Sequence, residues 1–304
     1  MFDIVAVGHL CIDLICLPNK SKPFTSLGGS SAYVSIVARR LGAKASIISK
    51  VGGDFPEAYV KQLTHEGINL SEVVTVKDSR TTSFELRYSN DLSSRTLRLR
   101  NKAPPIMVED LPKSLHTKII HVSPIAREVS YEVIEALRKQ ADLLSLDPHG
   151  LVRNFDEEEK VNQVPMADKR VLELIDVYKS SIDEVKAITN TSTPELAIKR
   201  VHNYGVKVVI VTLGTAGAIL SHESGVQKIP PYKSSKVIDP TGAGDVFIGA
   251  FLAEHVKEKE VLWCACVGSA AASLAVESVG TKFSINKDEI YQRARIVYEK
   301  GIKQ

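Results

Sequence analysis

Short apolar runs alternate with stretches of helical periodicity along most of this chain, and the alternation is strict enough to read elements from. Asp3 to Gly8 is an apolar run ending at a glycine, the pattern of a buried central strand. Leu27-Gly28-Gly29-Ser30-Ser31-Ala32-Tyr33 opens a helix running to about Leu41-Gly42, with Ala32, Ile36, Val37 and Leu41 as its apolar stripe. Ala45 to Val51 reads as a strand, and Gly52-Gly53-Asp54 leads into a helix through Glu66 with Asp54 as its cap. Lys118 to Val122 and Asp142 to Leu146 are strand-like, with Glu128 to Gln140 helical between them. Lys207 to Thr212 is a β-branched strand, Val261 to Val279 a long Ala-rich helix stopped by Gly280, and Asn286 begins the last helix.

One segment breaks this rhythm. Residues 80 to 103 carry two alternating rows, Thr82 to Tyr88 and Arg95 to Arg100, separated by the turn-rich Ser89-Asn90-Asp91. Alternation of this kind predicts strands with two different faces. The arginines of the second row fit a solvated face, or an anionic ligand.

The stretch Asp239-Pro240-Thr241-Gly242-Ala243-Gly244-Asp245, followed by the apolar Val246 to Leu252, reads as a loop running into a helix near Ala243. A helix N-terminus offers unpaired N–H groups and a positive dipole end, and small residues let a phosphate approach them. Gly242, Ala243 and Gly244 thus form a candidate anion cradle. Asp245, in the first turn, is either a helix cap or a base that takes the proton of an alcohol attacking a phosphoryl group. Asp13 follows the first strand, where a parallel sheet gathers its ligands. It is a candidate hydroxyl binder, with a local turn as the alternative.

Composition narrows the classes. At 304 residues, 44% hydrophobic and 25% charged, the chain has the make-up of a soluble globule, long enough for one large α/β domain. A net charge of +3 argues for neither nucleic acid nor membrane. The apolar start lacks a basic leader region and contains Asp3, His9 and Asp13, so it reads as a strand rather than a signal peptide. Cys11, Cys16, Cys264 and Cys266 make no metal-ligand pattern and read as free thiols, which fits a cytoplasmic protein. There is no GxxxxGK[ST] loop, no protein-kinase catalytic set, and no GxGxxG after the first strand.

DPTGAGD followed by VFIGAFL resembles the C-terminal signature of the ribokinase-like (PfkB) carbohydrate kinases, and the likeness extends in order over essentially the whole chain. It implies a doubly wound α/β/α sandwich as a single domain over 1–304, with a small β-sheet lid from about 11–26 and 80–103. It implies Asp245 as catalytic base, with the Gly242, Ala243 and Gly244 backbone holding the transferring phosphoryl group. Asp13, Gly28, Gly29, Ser30 and Arg153 are then the substrate-binding set. Thr212, Gly214 and Gly217, within Thr212-Leu213-Gly214-Thr215-Ala216-Gly217, match the family's nucleotide-phosphate turn and join Thr241 as nucleotide-binding residues. Glu184 corresponds to the glutamate that helps organise magnesium.

Two positions depart from the pattern: Tyr33 and Ser181 stand where many members have asparagine. Asp147-Pro148-His149-Gly150-Leu151-Val152-Arg153 looks most like the archaeal and plant inositol-kinase branch; His149 itself reads as a loop histidine. The expected activity is ATP- and Mg2+-dependent phosphorylation of a sugar or cyclic polyol hydroxyl, a ribose-like sugar or myo-inositol. A monovalent cation and a homodimer paired through the lid go with it. A nucleoside kinase, with Tyr33, Phe84 and Tyr88 as shelf for a base, and a catalytically silent sugar or nucleotide sensor are the alternatives.

Overall fold

A computed structural model describes the chain except for residues 19, 91–93, 235, 284–285 and 303–304, so Asp91 of the expected turn lies outside the described residues. The chain begins with β1 (Phe2–Val7), β2 (Cys11–Cys16), β3 (Phe24–Gly28) and helix α1 (Ser30–Arg40). β4 (Ala45–Gly52), α2 (Glu57–His65), β5 (Asn69–Val76), β6 (Ser83–Tyr88) and β7 (Arg95–Asn101) follow. β8 (Thr117–Val122), α3 (Tyr131–Arg138) and β9 (Ala141–Leu146) lead to the short pair β10 (Arg153–Phe155) and β11 (Val161–Gln163). Then come β12 (Val177–Ser181), α4 (Ile182–Thr189), α5 (Pro194–His202), β13 (Val208–Thr212), β14 (Ala218–His222) and β15 (Gly225–Ile229). Three helices close the chain: α6 (Ala243–His255), α7 (Val261–Ala275) and α8 (Lys287–Ile302).

Nine strands make the main sheet in the order β15-β14-β13-β12-β9-β8-β1-β4-β5. From β13 to β5 every pairing is parallel, and the β14–β15 hairpin adds an antiparallel edge. Strands buried on both faces need apolar residues at every position, and Ile4 to Val7 are fully buried. Ile4 and Ala6 face the core layer of α1, α6 and α7, while Val5 and Val7 face the layer of α3, α4 and α5. The result is an α/β/α sandwich.

A second sheet, β3-β2-β6-β7, stands against Ile125 and Ala126. Phe84, Leu86 and Tyr88 pack on its inner face, whereas Glu85 and Arg87 of β6 point outward with Arg98 and Arg100 of β7. Arg87 and Arg100 both pair with Glu85. The row of arginines is therefore split: Arg95, opposite Tyr88, belongs to the inner face.

Three boundaries differ from the periodicity. Asp54 caps nothing; its carboxylate accepts from Thr81 N at 2.7 Å and binds Arg80, and α2 starts after Pro56. Glu128 is not helical but fully buried, accepting from the backbone N–H groups of His9, Ile125 and Ala126. Helix α7 ends at Ala275 rather than near Val279, because the Val276 carbonyl is taken by Ile238 N at 2.7 Å.

Candidate active site

The segments after β1 and β9, the N-termini of α1 and α6 and the inner face of the small sheet meet around one cavity of about 140 Å³. Strands of a parallel sheet all deliver their following residues to the same edge, which is why distant segments converge there. Asp13, Gly29, Ser30, Arg153 and Thr241 through Asp245 line it, together with Tyr33, Arg95 and His149.

Gly242 is the N-cap of α6 at φ 73°, a left-handed conformation that a side chain resists, and a Cβ there would enter the Tyr33 ring. Past it, Ala243 N donates to Pro240 O at 3.3 Å, and Gly244 N and Asp245 N have no acceptor among the described residues. Two unpaired N–H groups at a helix start are the donors that an anion would use, so the turn stays a candidate cradle. Thr241 is held away from the helix by Asp239, whose Oδ1 accepts from Thr241 N (2.9 Å) and Oγ1 (2.5 Å); Tyr88 OH also meets Thr241 Oγ1 at 2.5 Å.

Asp245 is the third residue of α6. Its Oδ1 accepts from Ser30 Oγ at 2.6 Å and lies 3.3 Å from His149 Nε2. Burial opposes its ionisation, but the hydrogen bond and charge of His149, with the Lys179 charge and the Ser30 bond, hold the carboxyl well below the usual range. Ser30 thus ties the two glycine-containing turns together. Asp13 faces the same cavity, 5% exposed, accepting from Cys11 Sγ at 3.1 Å, with Gly28 packed on its carboxylate. Burial pushes its pKa up to about 6, a shift the Cys11 bond and the Arg95 charge only partly offset.

Behind Asp245 lies a layer of buried charge. His149 Nδ1 is 2.7 Å from Glu184 Oε1, and Nε2 is 3.0 Å from Asp147 Oδ2. Lys179, 2% exposed, donates to Asp147 Oδ2 at 2.5 Å. Burial disfavours the charged imidazole, yet Asp147 and Glu184 outweigh it and raise the His149 pKa well above the histidine norm. Glu184 Oε2 accepts from Ser181 N and Oγ, both at 2.8 Å, closing a capping box on α4. Ser181 therefore serves as a helix cap at the position of the missing asparagine.

Not every candidate reaches the cavity. Glu184 sits behind His149 with both oxygens engaged. Thr212, at the end of β13, and Gly214 and Gly217, in the turn that follows, lie on the same edge of the sheet but outside the cavity lining.

A family model described as pfkB family carbohydrate kinase matches residues 1–288. The chain belongs to the PfkB carbohydrate kinases. It is a kinase, and its fold is ribokinase-like. It is 27% identical to an inositol 3-kinase of Arabidopsis thaliana over 96% of this chain and 80% of that protein. It is 26% identical to a cytidine kinase of Thermococcus kodakarensis over 88% of this chain and 94% of that protein. Among solved structures, a pyrophosphate-dependent kinase of the ribokinase family, complexed with a pyrophosphate analogue and myo-inositol, superposes with a TM-score of 0.80 at 24% identity. That match covers 95% of this chain and 99% of the other.

The residues sequence reasoning missed in this kinase are the charged ones: Asp147, His149, Lys179 and Arg95. A lysine interrupting the apolar strand Val177-Tyr178-Lys179 was the available signal, since a buried ammonium needs a buried partner.

Proposed function

We propose that this kinase transfers the γ-phosphoryl group of ATP to a hydroxyl of a sugar or cyclic polyol, with Asp245 as the base. What carries this reading is the placement of the Asp245 carboxylate beside the unpaired N–H groups of Gly244 and Asp245 and within one cavity with Asp13. The acceptor hydroxyl, oriented by Asp13 and Arg153, attacks the γ-phosphorus. Its proton passes to Asp245 while the bond to the bridging oxygen breaks and ADP leaves. The N–H groups hold the phosphoryl oxygens, an electrostatic aid of about 3–4 kcal/mol in comparable sites. Thr212, Gly214 and Gly217 take the nucleotide phosphates farther along the edge. Magnesium would neutralise the phosphate tail; the engaged oxygens of Glu184 suit it at one water's remove, not as a direct ligand.

The aromatic side chains bear on the acceptor class. A base needs an open ring face, and each candidate ring already has a neighbour over one face. Arg153 lies over Phe84 at 5.9 Å, Arg95 over Tyr88 at 6.0 Å, and Tyr33 stacks on Phe283 beneath Gly242. That favours a sugar or polyol over a nucleoside. The inositol 3-kinase relative and the wording of Asp147 to Arg153 point within that class to myo-inositol. The same reading includes a small-sheet lid that closes on the acceptor, and a homodimer paired through its outer face, where Ile12, Leu14 and Cys16 are half-buried. A monovalent cation and a cytoplasmic setting complete it; among the described residues no helix is long and apolar enough to cross a membrane.

The test is ADP release from ATP and Mg2+ across ribose, hexoses, myo-inositol, nucleosides and sugar phosphates, with pyrophosphate as a second donor. Turnover with a sugar or polyol is expected, and Asp245→Asn is expected to lower kcat by about 10²–10⁴-fold. Ligand binding with no product on any sugar or polyol would overturn the acceptor class and the role given to Asp245.

A further inference from the structure

Three carboxylates, Asp147, Glu184 and Asp245, meet at one imidazole. Among the described residues the ring nitrogens of His149 face only carboxylate oxygens, at 2.7, 3.0 and 3.3 Å. A neutral imidazole has one N–H, and ionised carboxylates only accept, so the contacts require a proton on each nitrogen. The ring is a cation by its geometry. Lys179 adds a second cation on Asp147, and the Arg153 charge acts on all three carboxylates in the same nearly dry layer; Asp147 is fully buried and its Oδ1 has no hydrogen-bond partner among the described residues. The ligand oxygens of Asp147 and Asp245, both against Nε2, lie within 4.8 Å of one another, a spacing one metal ion could bridge, while Glu184, on Nδ1, stands outside that group.

We propose that His149 is a built-in cation, its Nε2 standing where a divalent ion would otherwise sit between Asp147 and Asp245, and that it is the positioning residue of Asp245. Its three contacts tie Asp245, on α6, to Glu184, on α4, and to the corner after β9, so the carboxylate cannot swing away from the cradle. The effect on turnover rests on the phosphotransferase reading; the role in charge balance does not.

Removing the ring would leave Asp147 and Asp245 facing one hole, with Lys179 and Arg153 as the neighbouring cations, a pair of hard oxygen donors suited to Mg2+ or Mn2+. Mn2+ is therefore titrated calorimetrically, without nucleotide or acceptor, into native protein and His149→Ala, with thermal melting as the check on folding. His149→Ala is expected to bind Mn2+ at least about ten-fold more tightly than native protein, and Asp147→Asn in the same background to abolish the gain. Equal affinity in native protein and folded His149→Ala overturns the proposal. If His149→Ala does not fold, His149→Gln, which keeps much of the volume without the charge, is expected to show a gain of the same sign. A folded His149→Gln with native affinity is again fatal. In turnover, the loss is expected mainly in kcat, about 10²-fold, with the acceptor KM little changed. A change confined to KM rejects the positioning role. Because Mn2+ binding needs neither substrate, its result stands whether or not an acceptor is found.

Discussion

The two halves of the site are built from opposite materials. One is backbone: the turn through Gly242, Ala243 and Gly244, with Ser30 at the head of α1, offers N–H groups and a hydroxyl and almost no side chain. The other is charge: Asp147, His149, Lys179 and Glu184, drawn from two strand ends and a helix start, buried beneath it. A backbone cradle depends on residue type at fixed spacing within one short segment. A charge layer depends on which segments the sheet brings together, and no segment needs a recognisable wording of its own.

That contrast predicts where a substitution hurts most. Lys179→Met keeps the length of the side chain and removes the ammonium that donates to a fully buried Asp147. Breaking a buried pair from one side costs about 3–5 kcal/mol when the other charge is stranded, and with His149 Nε2 still 3.0 Å from Asp147 the lower end, about 3 kcal/mol, is expected. The expected outcome is a loss of that size in urea unfolding, larger than for any substitution in the cradle. Lys179→Met with native stability would mean that the buried layer contributes nothing to the fold.

Next in size is Gly244→Ala. A Cβ there would stand 2.6 Å from Lys179 Nζ, so the methyl would press on the ammonium that holds Asp147 as well as fill part of the cradle. The expected fall in kcat is about 10²–10³-fold, as for loss of an oxyanion donor, with a stability change smaller than that of Lys179→Met. A kcat near native would show that phosphate never approaches this turn.

The same contrast accounts for what could be read in advance. The parallel α/β sandwich was legible because β1, β4, β8, β9 and β13 are apolar runs and the helices between them carry stripes, patterns fixed by burial itself. The loop of Gly242 to Asp245 was legible because few sequences besides a phosphate turn need that order of small residues. His149 was not, since a histidine after Asp-Pro is ordinary until Glu184 and Asp245 arrive from 35 and 96 residues away. Arg95 hid in a row whose other arginines, Arg98 and Arg100, face outward; only the pairing with Tyr88 assigns it to the inner face. Element ends failed where a side chain or a distant N–H displaced the helix, as at Asp54, Glu128 and Val276.

The smallest effect belongs to Asp13, where the two halves of the cavity face each other. Its pKa, pushed up to about 6 chiefly by burial, means that the fold favours its protonated form. Stability relative to Asp13→Asn should therefore fall as pH rises from the ordinary carboxylate range through about 6, because only the native side chain must then bury a charge. Activity should run the other way. The ionised carboxylate is the stronger acceptor for substrate hydroxyls, so kcat/KM for the acceptor should climb through the same window. Asp13→Asn is expected to lower kcat/KM at pH 8 by about ten-fold, to flatten the climb near pH 6, and to melt no lower than native protein. A profile of kcat/KM from pH 5 to 8 for both proteins reads all of this except the melting. A climb that survives in Asp13→Asn would assign the titration to another group and remove Asp13 from contact with the acceptor, leaving the backbone cradle and the buried charge layer to act without it.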